Sequence, residues 1–128
     1  MGDATEPRGD SPLAVMTKQF ALRVIRLVDA LPGSLSSQVV GKQLLRSATS
    51  VGANYRAACR AGSKAEFRAK LGIVEEEADE SVYWLELLGE SELMKESLLT
   101  DLLKTAHEIL AMTVASIKTA KSQEQDAT

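Results

Sequence analysis

The stretch Glu75-Glu76-Glu77-Ala78-Asp79-Glu80 holds five carboxylates in six residues, enough to ligate metal if they converged. Helical bundles that bind two irons place Glu-x-x-His pairs on two helices. Here the single histidine is His107, and the residue three before it is Lys104. Successive carboxylates on a helix also point in different directions around its axis. The run therefore reads as solvated or ion-paired surface, with no metal site. The lone Cys59 falls on the apolar side of its helix and reads as a core thiol. No spacing joins it to His107, at the edge of the fourth helix's core stripe, as nucleophile and base. Phosphate-binding loops, dinucleotide glycine patterns and zinc spacings are missing as well. These residues point to a protein that is not an enzyme and needs no cofactor.

Charge is the stronger signal. From Arg8 to Lys70 the balance is +8, and from Leu71 to Thr128 it is −9, inside a total of only −3. Lys42, Arg46, Arg56 and Arg60 fall on one side of a single helix, a row spanning about 27 Å at 1.5 Å per residue. Lys64, Arg68 and Lys70 continue it past a turn. Such a row suits the phosphates of RNA or single-stranded DNA. No aromatic is interleaved to stack on bases, as single-strand binders usually require, and the chain as a whole is acidic. The competing expectation, which we favour, is that the cations pair with acids of the next helix, within a subunit or across an interface.

Four helices must position these groups. Ser11-Pro12 starts the first, with Leu13, Met16, Phe20, Val24, Leu27 and Leu31 on one face, and Pro32-Gly33 stops it. The second is expected from Ser36 or Ser37 to about Arg60, with Leu44, Ala48, Val51, Tyr55, Ala58 and Cys59 inward. Gly41 and Gly52 weaken it by about 1 kcal/mol each relative to Ala. Asn54 and Ser47 lie on its shoulder, where a half-buried amide needs partners. Ser63-Lys64-Ala65-Glu66 is a capping box for the third helix, whose core face is Phe67, Leu71, Val74, Ala78, Val82 and Leu85. A second apolar strip on that helix, Ile73, Tyr83, Trp84 and Leu87, marks an expected oligomer interface. Gly89 is expected to end the third helix and Ser91 to cap a fourth, which carries a stripe from Leu99 to Ile117.

The sequence thus predicts an all-α, antiparallel up-and-down four-helix bundle over residues 12–121. Residues 1–11 read as a disordered arm and 122–128 as a fraying tail. A length of 128 residues, 45% apolar and only 4% aromatic, suits one aliphatic helical core. No segment is apolar enough for a membrane span and none resembles an export signal, so a cytoplasmic location is expected.

The stretch RSATSVGANYRAACRAGSKAEFRAKLGIVEEEADESVYWLELL resembles the bacterial four-helix-bundle proteins related to those encoded in intervening sequences of large-subunit ribosomal RNA genes. The resemblance rests on Gln43-Leu44-Leu45-Arg46-Ser47, Ser50-Val51-Gly52-Ala53-Asn54, Ser63 with Glu66-Phe67, and Glu80 to Leu88 around Tyr83-Trp84-Leu85, and it covers about residues 13–120. Many relatives carry an acidic residue and Gly soon after the Asn, whereas Arg56-Ala57-Ala58-Cys59 follows here. The resemblance implies a homo-oligomer, with pentamers a known arrangement of this architecture. It also implies a nucleic-acid role, because a related bundle family assists reverse transcriptases and engages nucleic acid through a basic surface. The expectation is a noncatalytic homo-oligomeric interaction module; the alternative is an accessory protein binding RNA or DNA through Lys42, Arg46, Arg56 and Arg60.

Overall fold

Ser11 opens the first helix by accepting a hydrogen bond from the Ala14 amide at 3.2 Å, with Pro12 at the first helical position. The computed structural model describes residues 11–126. Its helices are α1 (Pro12–Asp29), α2 (Leu35–Cys59), α3 (Lys64–Glu90) and α4 (Glu96–Asp126). No strand occurs among the described residues. Apart from Ser11, the expected N-terminal arm lies outside them, as do the last two residues of the expected tail. Residues 122–126 are helical, and Glu124 is tied to Arg68 by a 2.6 Å ion pair between α3 and α4.

Each helix packs on its two neighbours in a ring: α1 on α2, α2 on α3, α3 on α4, and α4 on α1, with no diagonal packing among the described residues. Side-chain links run start to end between neighbours, as antiparallel packing requires. Ser11 Oγ and Tyr55 Oη lie 2.9 Å apart across α1 and α2. Arg23 joins α1 to α4, donating to Asp101 Oδ2 at 2.5 Å and Thr105 Oγ1 at 3.3 Å. The core is the expected, largely aliphatic set with Leu88 added. Phe20, Val24, Leu44, Ala48, Val51, Leu71, Val74, Leu85, Leu88, Leu99, Ala106 and Ile109 are all essentially buried.

Two glycines set the spacing of α1 against α2. A methyl group at Gly52 would sit 3.5 Å from the Thr17 carbonyl oxygen, so α1's backbone runs directly over this position. One at Gly41 would meet Leu31 at 3.1 Å and Val28 at 3.4 Å. The propensity cost of these residues accompanies close helix contact.

Some boundaries differ from expectation. Helix α2 begins at Leu35, because Ser34 rather than Ser36 or Ser37 is the cap: its Oγ accepts from the Ser37 amide at 3.2 Å. Ser37 is buried instead. Ser91 closes α3 rather than opening α4; its amide donates to the Leu87 carbonyl at 2.9 Å. The chain then turns through Glu92, at φ 62°, and the Met94 amide donates to the Leu88 carbonyl at 3.2 Å. Half-buried Leu93 and Met94 pack against the core, so the connector closes the bundle end before α4 starts. The Ser63 cap is as expected, except that Glu66 receives the Gly62 amide, 3.1 Å away, rather than that of Ser63.

Candidate interaction surface on helices α2 and α3

The outward side of α2 is one continuous stripe. Leu35, Val39, Lys42, Arg46, Thr49, Ala53, Arg56 and Arg60 follow at alternating steps of four and three, and all are exposed. The four basic residues singled out from sequence do share this face. They are not equivalent. Arg46 leans onto α3, where Nη1 lies 3.3 and 3.2 Å from the two Glu77 carboxylate oxygens and Nη2 donates to Glu80. Lys42, Arg56 and Arg60 form no ion pair among the described residues. The expectation that the cations pair with acids of α3 therefore holds within the chain for Arg46 alone.

Arg46 belongs to a polar ladder along the seam between α2 and α3. The Trp84 indole N–H donates to Glu80 Oε2 at 3.0 Å. Ser50 Oγ donates to Glu77 Oε2 at 3.2 Å, and the Asn54 amide donates to Ser50 Oγ at 2.8 Å and to the Ser50 carbonyl at 2.9 Å. One layer deeper, fully buried Ser47 and Ser81 place their hydroxyls 2.9 Å apart. Asn54 thus serves the seam through its own helix. The ladder is internally satisfied: no buried side-chain polar atom lacks a partner among the described residues.

The ladder also fixes charge. The Trp84 donor first, and then Arg46, hold the Glu80 carboxyl below the usual carboxylate value against a smaller opposing push from burial. The Arg46 guanidinium is held more firmly protonated, chiefly by Glu80. A carboxyl that ionises more readily when folded contributes stability above its unfolded pKa and loses it as pH falls through the lowered folded value. The urea midpoint should therefore fall on acidification below about pH 5. Glu80→Gln should flatten part of that slope; an unchanged slope would show that Glu80 contributes nothing to it.

The strip expected as an oligomer interface is divided by the fold. Trp84 is half-buried, packs on the core and bonds to Glu80, so it holds the seam. Tyr83 is 53% exposed and stands edge-on to Trp84 with ring centres 5.0 Å apart. Leu87 is half-buried one turn beyond Tyr83, whereas half-buried Ile73 falls on the flank of α3 that carries Glu77, Glu80 and Trp84.

Beside them runs a stripe that sequence reasoning missed. Glu76, Asp79, Tyr83, Glu86 and Glu90 recur at steps of three and four along the outside of α3, and all are exposed. Its four carboxylates form no ion pair among the described residues. The signal was present in the spacing of the acids, hidden because Glu75, Glu77 and Glu80 were read with them as one run.

The remaining candidates for chemistry stay apart. Cys59 is half-buried against the core at the end of α2. His107 is exposed on α4 rather than at the margin of its buried stripe, and α2 and α4 do not pack together. No group of three or more His, Cys, Asp or Glu side chains among the described residues is placed to hold a metal ion. No described helix is long and apolar enough to cross a membrane.

A family model described as 23S rRNA-intervening sequence protein matches residues 13–115. No curated protein matches the chain. Among solved structures, a protein with unknown function from the S23 ribosomal protein family of Bacteroides thetaiotaomicron superposes with a TM-score of 0.79 at 37% identity, covering 83% of this chain and 98% of its own.

Proposed function

The chain belongs to the 23S rRNA-intervening sequence protein family, and we infer that it acts as a noncatalytic module that assembles with copies of itself through the outward faces of α2 and α3. The observation that carries this reading is Tyr83. A large aromatic, 53% exposed, stands one turn before half-buried Leu87 on the side of α3 turned away from the core. Fully burying such a side chain is worth about 1.5–3 kcal/mol, and an aromatic at the centre of a polar-rimmed patch is the usual anchor of an interface. Half of that burial is still to be gained. Tyr83→Ser should weaken self-association roughly five- to tenfold, the equivalent of about 1 kcal/mol, with an unchanged helical circular dichroism spectrum. Sedimentation velocity measures this; identical assembly of parent and variant would remove Tyr83 from the contact.

One observation favours a second reading. Lys42, Arg56 and Arg60 are exposed and free of ion pairs among the described residues, which suits contacts to the backbone of RNA or single-stranded DNA. Each phosphate contact contributes about 0.7–0.9 to the slope of log affinity against log salt. Arg56→Ala with Arg60→Ala should then lower that slope by about 1.4–1.8 in fluorescence anisotropy with structured RNA. Absence of binding at low salt by the parent protein would eliminate this reading.

A further inference from the structure

We propose that the two outward stripes are the two halves of one contact between copies: the basic stripe of α2 on one copy seats against the acidic, Tyr83-centred stripe of α3 on the next. This deepens the assembly reading above and rests on it.

The charges that can be satisfied within the chain already are. Glu77 and Glu80, on the flank of α3 that faces α2, are taken by Arg46. Glu76, Asp79, Glu86 and Glu90 face away from α2, as Lys42, Arg56 and Arg60 face away from α3. Neighbouring helices of one bundle cannot turn these faces toward each other, so any complement to them comes from outside the chain. The acidic stripe fits within the basic one. Lys42 to Arg60 is eighteen residue steps and Glu76 to Glu90 fourteen, about 27 Å and 21 Å at 1.5 Å per residue. Tyr83 lies midway along the acidic stripe, and the basic stripe offers the small Thr49 and Ala53 between Arg46 and Arg56, room for an aromatic ring. Like faces repel and unlike faces attract, so the charges select α2 against α3 over α2 against α2. Every copy carries both halves, and contacts between unlike surfaces close into rings when the rotation allows.

Charge reversal tests the pairing. One variant carries Lys42→Glu, Arg56→Glu and Arg60→Glu; a second carries Glu76→Lys, Asp79→Lys and Glu86→Lys; a third combines both sets. None of these side chains belongs to the seam or the core, and circular dichroism melts check that each variant folds. The neutral set Lys42→Gln, Arg56→Gln and Arg60→Gln is the milder substitute should a reversal prevent folding, with a smaller loss expected. By sedimentation at physiological salt, each reversal alone should weaken self-association at least about tenfold. The combined variant should regain it, and the two single reversals should assemble on mixing. Parent-like assembly by both reversals, or a folded combined variant that stays dissociated, would overturn the pairing while leaving self-association intact. Loss of RNA binding by the first variant without a change in mass would also overturn it, assigning the α2 stripe to nucleic acid. A parent protein that does not associate at all would overturn the assembly reading itself.

Discussion

Gly52→Leu is expected to destabilise the bundle by about 3 kcal/mol, at the upper end of the usual cost of overpacking, whereas Gly52→Ala should stay within about 1 kcal/mol of the parent. The contrast follows from what lies over the position. A methyl carbon there meets the Thr17 carbonyl oxygen at 3.5 Å, an ordinary van der Waals contact. The alanine therefore fits and recovers helix propensity. Anything longer meets backbone, which cannot rotate aside as a side chain does. It must push α1 away from α2, opening the layer around buried Thr17 and Phe20. Urea unfolding of the two variants measures the difference. A leucine variant as stable as the alanine variant would mean that α1 does not run over Gly52.

The second large effect separates two residues that look alike in the sequence. Arg46→Ala should cost about 1–2 kcal/mol, while Arg56→Ala should lie within about 0.5 kcal/mol of the parent. Among the described residues Arg46 is the only cation holding Glu77 and Glu80 in the seam. Glu77 is the more buried of the two partners, with 18% of its side chain open to solvent. Removing the guanidinium leaves two carboxylates on adjacent turns repelling each other beside Ser50 and Trp84. Half of the Arg46 side chain is open to water, which screens the pair and keeps the effect moderate. Arg56, on the same stripe, has no such partner among the described residues. Equal losses for the two variants in urea unfolding would show that the stripe is a uniform solvated face and that the seam draws nothing from Arg46.

Much of the bundle was legible because burial imposes the helical period on the residues that form it. Leu71, Val74, Ala78, Val82 and Leu85 sit three and four apart for the same reason that they are buried. Helix ends were harder. Ser34, Ser36, Ser37 and Ser91 can all cap a helix, and the choice depends on which hydroxyl the tertiary fold leaves beside a free amide. Ser37 was lost to burial, and Ser91 to the closing of α3. The candidate surface was legible by type but not by partner. Spacing placed Lys42, Arg46, Arg56 and Arg60 on one face, yet only the packing of α2 on α3 shows that Arg46 reaches across while the others do not. The same packing divides Trp84 from Tyr83, which adjoin in sequence but turn one toward the seam and the other toward solvent. Links such as Arg23 with Asp101 and Arg68 with Glu124 join residues 78 and 56 positions apart, a distance over which one sequence carries no pairing signal.

The most direct test is the mass of the unmodified protein in solution. Multi-angle light scattering at physiological salt, over a series of micromolar concentrations, should give a species of at least twice the mass of the 13.8 kDa chain. A single species at 13.8 kDa across the series would contradict assembly through the faces of α2 and α3.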